Sequence, residues 1–113
     1  MLVKTNRLQK KKDIEMVFRK GRAFKEDFLV LKTAKNNLNR IRFGFIVSQK
    51  ISKKANVRNR VKRKLRELAR IDLKKLEPGT DNLIIALSGL ETKDFWEIGE
   101  TMNKLFQKAG LVK

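Results

Sequence analysis

Ala55-Asn56-Val57-Arg58-Asn59-Arg60-Val61-Lys62-Arg63-Lys64-Leu65-Arg66 is the stretch from which the rest of the chain can be read. It holds six bases and no acid. Taken as a helix at about 100° per residue, it divides into two faces. Val57, Val61, Leu65 and Leu68 recur at spacings of four, four and three and make an apolar stripe. Arg58, Lys62, Arg66 and Arg70 recur at four on another side, with Asn59 and Arg63 beside them. Seating the first stripe on a core turns the second outward as a fixed row of cations. Such a row repels itself and becomes favourable when a polyanion lies across it. Arg forks and Asn amides suit phosphate oxygens and base edges. Composition leaves open whether the polyanion is RNA, DNA or a membrane surface.

The charge is unevenly spread. The 113 residues carry a net charge of +17. Residues 1–75 hold 25 bases and 6 acids, whereas residues 76–113 hold 4 bases and 6 acids. A nucleic-acid face and a scaffold face follow from that asymmetry. With 41% hydrophobic residues the chain is expected to fold as a single domain over 1–113. Residues 1–11 are read as a mobile basic arm. No Cys is present, which excludes disulfides and thiolate chemistry. No apolar run approaches ~18 residues, so no membrane span is expected. The opening Met1-Leu2-Val3-Lys4 lacks the apolar core of a secretory signal, and a cytoplasmic location is the expectation.

Working outward towards the N-terminus, Arg40 to Val47 reads as a strand. Ile41, Phe43, Phe45 and Val47 share one face; Arg40, Arg42, Gly44 and Ile46 share the other. Gly44 lets a second backbone, or a ligand, approach closely. Phe28-Leu29-Val30-Leu31 reads as another strand, and Asn36-Asn37-Leu38-Asn39 as a turn, so an antiparallel hairpin is expected. Asp13 to Lys20 has acids early and bases late, with Gly21 after it, as a short helix should. Its apolar face is Ile14, Val17 and Phe18. Before the basic helix, Ser48 to Lys54 is a polar connection with Lys50, Lys53 and Lys54, and Ser52 is the expected N-cap.

Towards the C-terminus, Pro78-Gly79 stops the basic helix. Asn82 to Leu87 is a buried strand, which makes a βαβ unit with the helix between its strands. Phe95, Ile98, Gly99, Met102, Leu105, Phe106 and Ala109 follow at helical spacing, and Gly110 ends that last helix.

Catalytic side chains are hard to find. There is no His, which removes the usual general base and the commonest zinc ligand. The six glycines are scattered and form no phosphate loop. Glu91, Asp94, Glu97 and Glu100 cluster, but at a helix start, where the dipole favours acids. Glu26 and Asp27 are neighbours in an extended segment and should diverge. Neither catalytic nor metal-ligating residues are therefore expected.

From Ala55 through Arg58-Asn59-Arg60-Val61-Lys62-Arg63-Lys64-Leu65-Arg66-Glu67 the sequence resembles the signature of the bacterial ribonuclease P protein subunit family. The resemblance extends to Arg7-Leu8, to Asp13 through Gly21, to Phe28-Leu29-Val30-Leu31, to Arg42-Phe43-Gly44-Phe45-Ile46-Val47-Ser48-Gln49-Lys50 and to Leu83-Ile84-Ile85-Ala86. It implies an α+β fold, a small α/β sandwich with helices on a four-stranded mixed sheet. The crossover through the basic helix would be left-handed, against the usual rule. It also implies binding of a catalytic RNA through the basic helix and its loop. Arg58, Asn59, Arg60, Lys62, Arg63 and Arg66 match the motif, with Lys53 and Lys54 in the loop. A cleft between the first helix and the sheet would hold the 5′ leader of precursor tRNA, through Ile14, Phe18, Leu31 and Lys50. Many relatives have Phe at Ile14, some have Tyr at Leu31, and many have Gly at Ser52. The RNA, with Mg2+ held mainly by it, would perform the hydrolysis, and no protein partner would be required.

Two rival functions carry different consequences. A ribosomal or RNA-chaperone protein would share the electrostatics but show no leader selectivity. A metal nuclease would act alone through Glu91, Asp94 and Glu97.

Overall fold

The computed structural model describes residues 2–113; Met1 lies outside the described residues. The chain runs α1 (Lys11–Lys20), β1 (Arg22–Glu26), β2 (Leu29–Lys35), β3 (Arg42–Ile46), α2 (Ala55–Asp72), β4 (Thr80–Ala86) and α3 (Phe95–Lys108). Among the described residues the strands form one mixed sheet in the order β1-β2-β4-β3. β4 pairs antiparallel with β2 and parallel with β3. The parallel pair with α2 between its strands is the expected βαβ unit.

The expected hairpin between Phe28–Leu31 and Arg40–Val47 does not form. β4 lies between those strands. Its Leu83-Ile84-Ile85-Ala86 run is apolar on both faces, so the interior of the sheet is where it loses least. The hairpin that does form joins β1 to β2 through a tight turn at Asp27, whose φ is +49°. Glu26 and Asp27 thus separate at a turn rather than along a strand. β1 escaped the sequence reading because Arg-Ala-Phe-Lys-Glu offers only Ala23 and Phe24 as apolar residues. The Asn36–Asn39 turn is real, with Asn37 at φ +59°. It carries the chain over the end of β4: Asn36 N donates to Gly79 O, and Gly79 N donates to Arg40 O.

The two faces of the sheet bury different residues. On one side Leu29, Leu31, Phe43 and Ile84 pack with Val61 and Leu65 of α2 and with Ile98, Met102, Leu105 and Phe106 of α3. On the other, Leu83 packs with Leu8 and with Val17 of α1, while Ile14, Ile46 and Ile85 stay half-buried. Asp94 caps α3 by accepting from Glu97 N at 2.8 Å. Ser52 does not cap α2; Lys54 holds that position. Ser52 Oγ instead accepts from Lys54 N at 3.2 Å and shapes the loop before the helix.

Residues 2–8 are packed, contrary to the mobile arm expected over 1–11. Leu2 and Leu8 are buried. Asn6 Nδ2 donates to Ile41 O, Arg7 Nε donates to Leu2 O, and Leu8 N donates to Phe43 O. The segment lies along β3 because Gly44 permits it: a Cβ there would stand 3.2 Å from Leu8 O and 2.9 Å from a Leu83 methyl. Gly21, too, is needed for space, since its own φ is −68° and a Cβ would meet Val17 O at 2.4 Å.

Candidate nucleic-acid interface

α2 is seated as its periodicity predicts. Val61, Leu65, Leu68 and Ala69 are buried, and Val57 is half-buried. Asn59, Arg60 and Arg63 are exposed, as are Lys53 and Lys54 in the loop ahead. Arg58, Lys62 and Arg66 are only half-exposed, and each has a definite place. Arg58 Nη1 donates to Ser52 O at 2.9 Å and fastens the first turn of α2 to its loop. Lys62 and Arg66 border a cleft of about 220 Å³ with Arg7, Leu8, Gly44 and Phe45. Arg7 thus joins the cationic surface, although sequence periodicity offered no sign of it. Arg70 is drawn out of the row by Glu67, which accepts from its Nε and Nη2. That pairing holds the Glu67 carboxyl below, and the Arg70 guanidinium above, their ordinary ranges.

A second surface lies between α1 and the sheet. Ile14 is half-buried, and Phe18 is 50% exposed, enough to offer a ring face to a ligand. Leu31 does not belong here. It is fully buried in the core on the opposite face of the sheet. Side chains alternate along a strand, so a shift of one residue changes the face. The residue that reaches Phe18 is Lys32, whose Nζ lies 3.9 Å from the ring centroid and donates to Phe18 O at 2.8 Å. The alternation of Leu29 and Leu31 with Val30 and Lys32 was the signal that could have found it. Lys50 is exposed in the loop after β3, four residues beyond Ile46 on this face.

α1 is held to the sheet by charge as well as by Val17. Arg42 is bidentate to Asp81 and lies 3.5 Å from Asp13 Oδ2 of α1. The Asp81 hydrogen bonds raise the Arg42 guanidinium above its ordinary range. The acidic residues near α3 stay apart in role: Asp94 caps the helix, Glu91 accepts from Gly89 N, and Glu97 lies 3.9 Å from Lys93. Among the described residues, no three His, Cys, Asp or Glu come together as a metal-holding group. No described helix is long and apolar enough to cross a membrane.

A cationic helix seated on one face of a small mixed sheet, with an exposed phenylalanine and a lysine over its ring on the other, defines a basic α+β domain of the RNA-binding kind. A family model described as Ribonuclease P matches residues 2–110, and the chain belongs to the ribonuclease P protein family. It is 40% identical over 114 residues to the ribonuclease P protein component of Clostridium acetobutylicum, covering 97% of this chain and 93% of that one. The RNase P protein of Thermotoga maritima superimposes with a TM-score of 0.81 at 29% identity, over 89% of this chain and 96% of that one. The RNase P protein of Staphylococcus aureus superimposes with a TM-score of 0.86 over 96% of this chain and 98% of that one; at 23% identity, this likeness concerns the fold. The setting of the chain is therefore tRNA processing by a ribonucleoprotein endoribonuclease.

Proposed function

We propose that this chain is the protein component of ribonuclease P and that it has two RNA-binding surfaces. α2 and its loop bind the catalytic RNA, using Lys53, Lys54, Asn59, Arg60 and Arg63 at the surface and Lys62 and Arg66 in the adjoining cleft. The α1 cleft, through Ile14, Phe18, Lys32 and Lys50, holds the single-stranded 5′ leader of precursor tRNA. The observation that carries this reading is the seating of α2: buried Val61 and Leu65 hold exposed Arg60 and Arg63 at fixed spacing.

The division of labour is electrostatic. Catalytic RNA and substrate are both polyanions, and the cationic surface offsets their repulsion. Contacts to the leader exist with precursor and vanish with mature tRNA. Discrimination is then a difference of two affinities. The RNA performs the phosphodiester hydrolysis. Magnesium, held mainly by the RNA, supplies the metal chemistry of that step. The complex works in the cytoplasm and needs no further protein.

Cleavage of precursor tRNA by protein alone, RNA alone and both together tests this reading. The pair should cleave at moderate salt and magnesium where the RNA alone is slow, and the protein alone should be inert. Cleavage by the protein alone would favour a nuclease built on Glu91, Asp94 and Glu97. Equal affinity of the assembled complex for precursor and mature tRNA would favour a chaperone.

A further inference from the structure

α2 and α3 leave a groove of about 530 Å³ where α3 begins. Arg60, Arg63, Lys64, Arg66 and Glu67 border it from α2, and Phe95 borders it from α3. Phe95 is half-buried: part of its ring packs against the core, and the rest is open to the groove. The aliphatic stems of the long cations line the walls and carry their charges to the rim. The one carboxylate, Glu67, is hydrogen-bonded by Arg70.

An aromatic face below and guanidinium groups above are the chemistry that an unpaired nucleotide requires. The base needs a flat apolar surface, and the phosphate needs a fork of donors. A duplex has no use for the ring, because its bases are already stacked. An apolar protein segment has no use for four cations. The neighbouring groove around Ile71 and Trp96 is also apolar, but it carries Asp72 and Glu100 against Lys75 alone and has the wrong sign for RNA.

We propose that this groove binds one unpaired nucleotide of the RNA that lies on α2, with its base stacked on Phe95 and its phosphate on Arg60 and Arg63. The site rests on the reading of α2 as an RNA-binding helix and adds a non-electrostatic anchor to it. Charge contacts alone position a polyanion without fixing its register. A stacked base supplies a defined point of attachment, and the shared residues Arg60, Arg63 and Arg66 make the groove continuous with the cationic face.

Salt dependence separates stacking from charge. Stacking releases no counterions, whereas each lost phosphate contact flattens the slope of log K against log salt. The affinity of wild type, Phe95→Leu and Phe95→Tyr for ribonuclease P RNA should be measured across a salt series, with Arg63→Ala alongside. Phe95→Leu should weaken binding roughly tenfold at every salt concentration, with the slope unchanged. Phe95→Tyr should stay within about twofold of wild type, because it keeps the ring. Thermal melting checks that the leucine variant is folded; if it melts early, Phe95→Met takes its place. Wild-type affinity in the leucine or methionine variant overturns the proposal, and so does equal loss in the tyrosine variant. If Arg63→Ala flattens the slope while Phe95→Leu does nothing, the groove fails and the basic helix stands. If neither variant changes anything, the basic-helix reading fails as well.

Discussion

Arg42 and Asp81 face each other across the parallel β3–β4 pair, with Arg42 Nε and Nη2 each donating to one Asp81 oxygen at 2.7 Å. Both side chains are largely removed from water. Asn36 Nδ2 donates to the same carboxylate at 2.8 Å, and Asp13 of α1 lies 3.5 Å from the guanidinium. One pair therefore ties the sheet, the loop after β2 and the first helix together.

Removing Arg42 would leave Asp81 buried with Asn36 alone. Arg42→Ala should lower unfolding free energy by about 3 kcal/mol. Adding Asp81→Asn should restore part of that loss, because the stranded charge goes with it. Urea unfolding of the two single variants and the double variant measures the coupling. Additive losses would mean that the pair does not act as a unit.

Asp72 is the last residue of α2, where a negative charge opposes the helix dipole, and it is buried. Burial raises its pKa above the ordinary 3.8, and Lys75, 3.9 Å away, offsets this in part. The folded state then holds its proton more tightly than the unfolded state. Stability contributed by protonated Asp72 is present at acid pH and lost as pH rises through the raised folded value. Asp72→Asn should therefore stabilise the protein at pH 7, and the gain should fade as pH falls through the raised folded value towards 3.8. Melting temperature against pH for both proteins checks the sign. A gain that grows towards low pH would contradict it.

Phe18 is half-exposed with Lys32 over its ring, so it can change without emptying the core. Phe18→Leu should leave thermal stability within about 0.5 kcal/mol. It should reduce the preference for precursor over mature tRNA by roughly tenfold, the scale of one stacked base. Binding of both tRNAs to the reconstituted complex reads this directly. An unchanged preference would remove the α1 cleft from the proposed function.

Much of this architecture was legible because two periods are strong. The valine-leucine stripe of α2 and the Ile98-Met102-Leu105-Phe106 stripe of α3 both face the core as their spacing predicts. Gly44 in a strand marks a place of close approach, and the backbone of Leu8 is what approaches. Strand order was not legible: β2 and β3 are neighbours in sequence, and only the two-sided apolarity of β4 puts it between them. The packing of Leu2 and Leu8 was hidden by the bases around them. Leu31 faces the core and not the first helix; family resemblance supplies a position without a side-chain direction. The strand's own alternation places Lys32 there.

The central claim is that α2 presents cations to RNA at fixed spacing, and Arg63, exposed and on the outward side, isolates it. The slope of log K against log salt for ribonuclease P RNA should be measured for wild type and Arg63→Ala. Losing one phosphate contact should weaken binding at low salt and reduce the magnitude of the slope by about 0.7–0.9. An Arg63→Ala protein with wild-type affinity and wild-type slope would contradict the account.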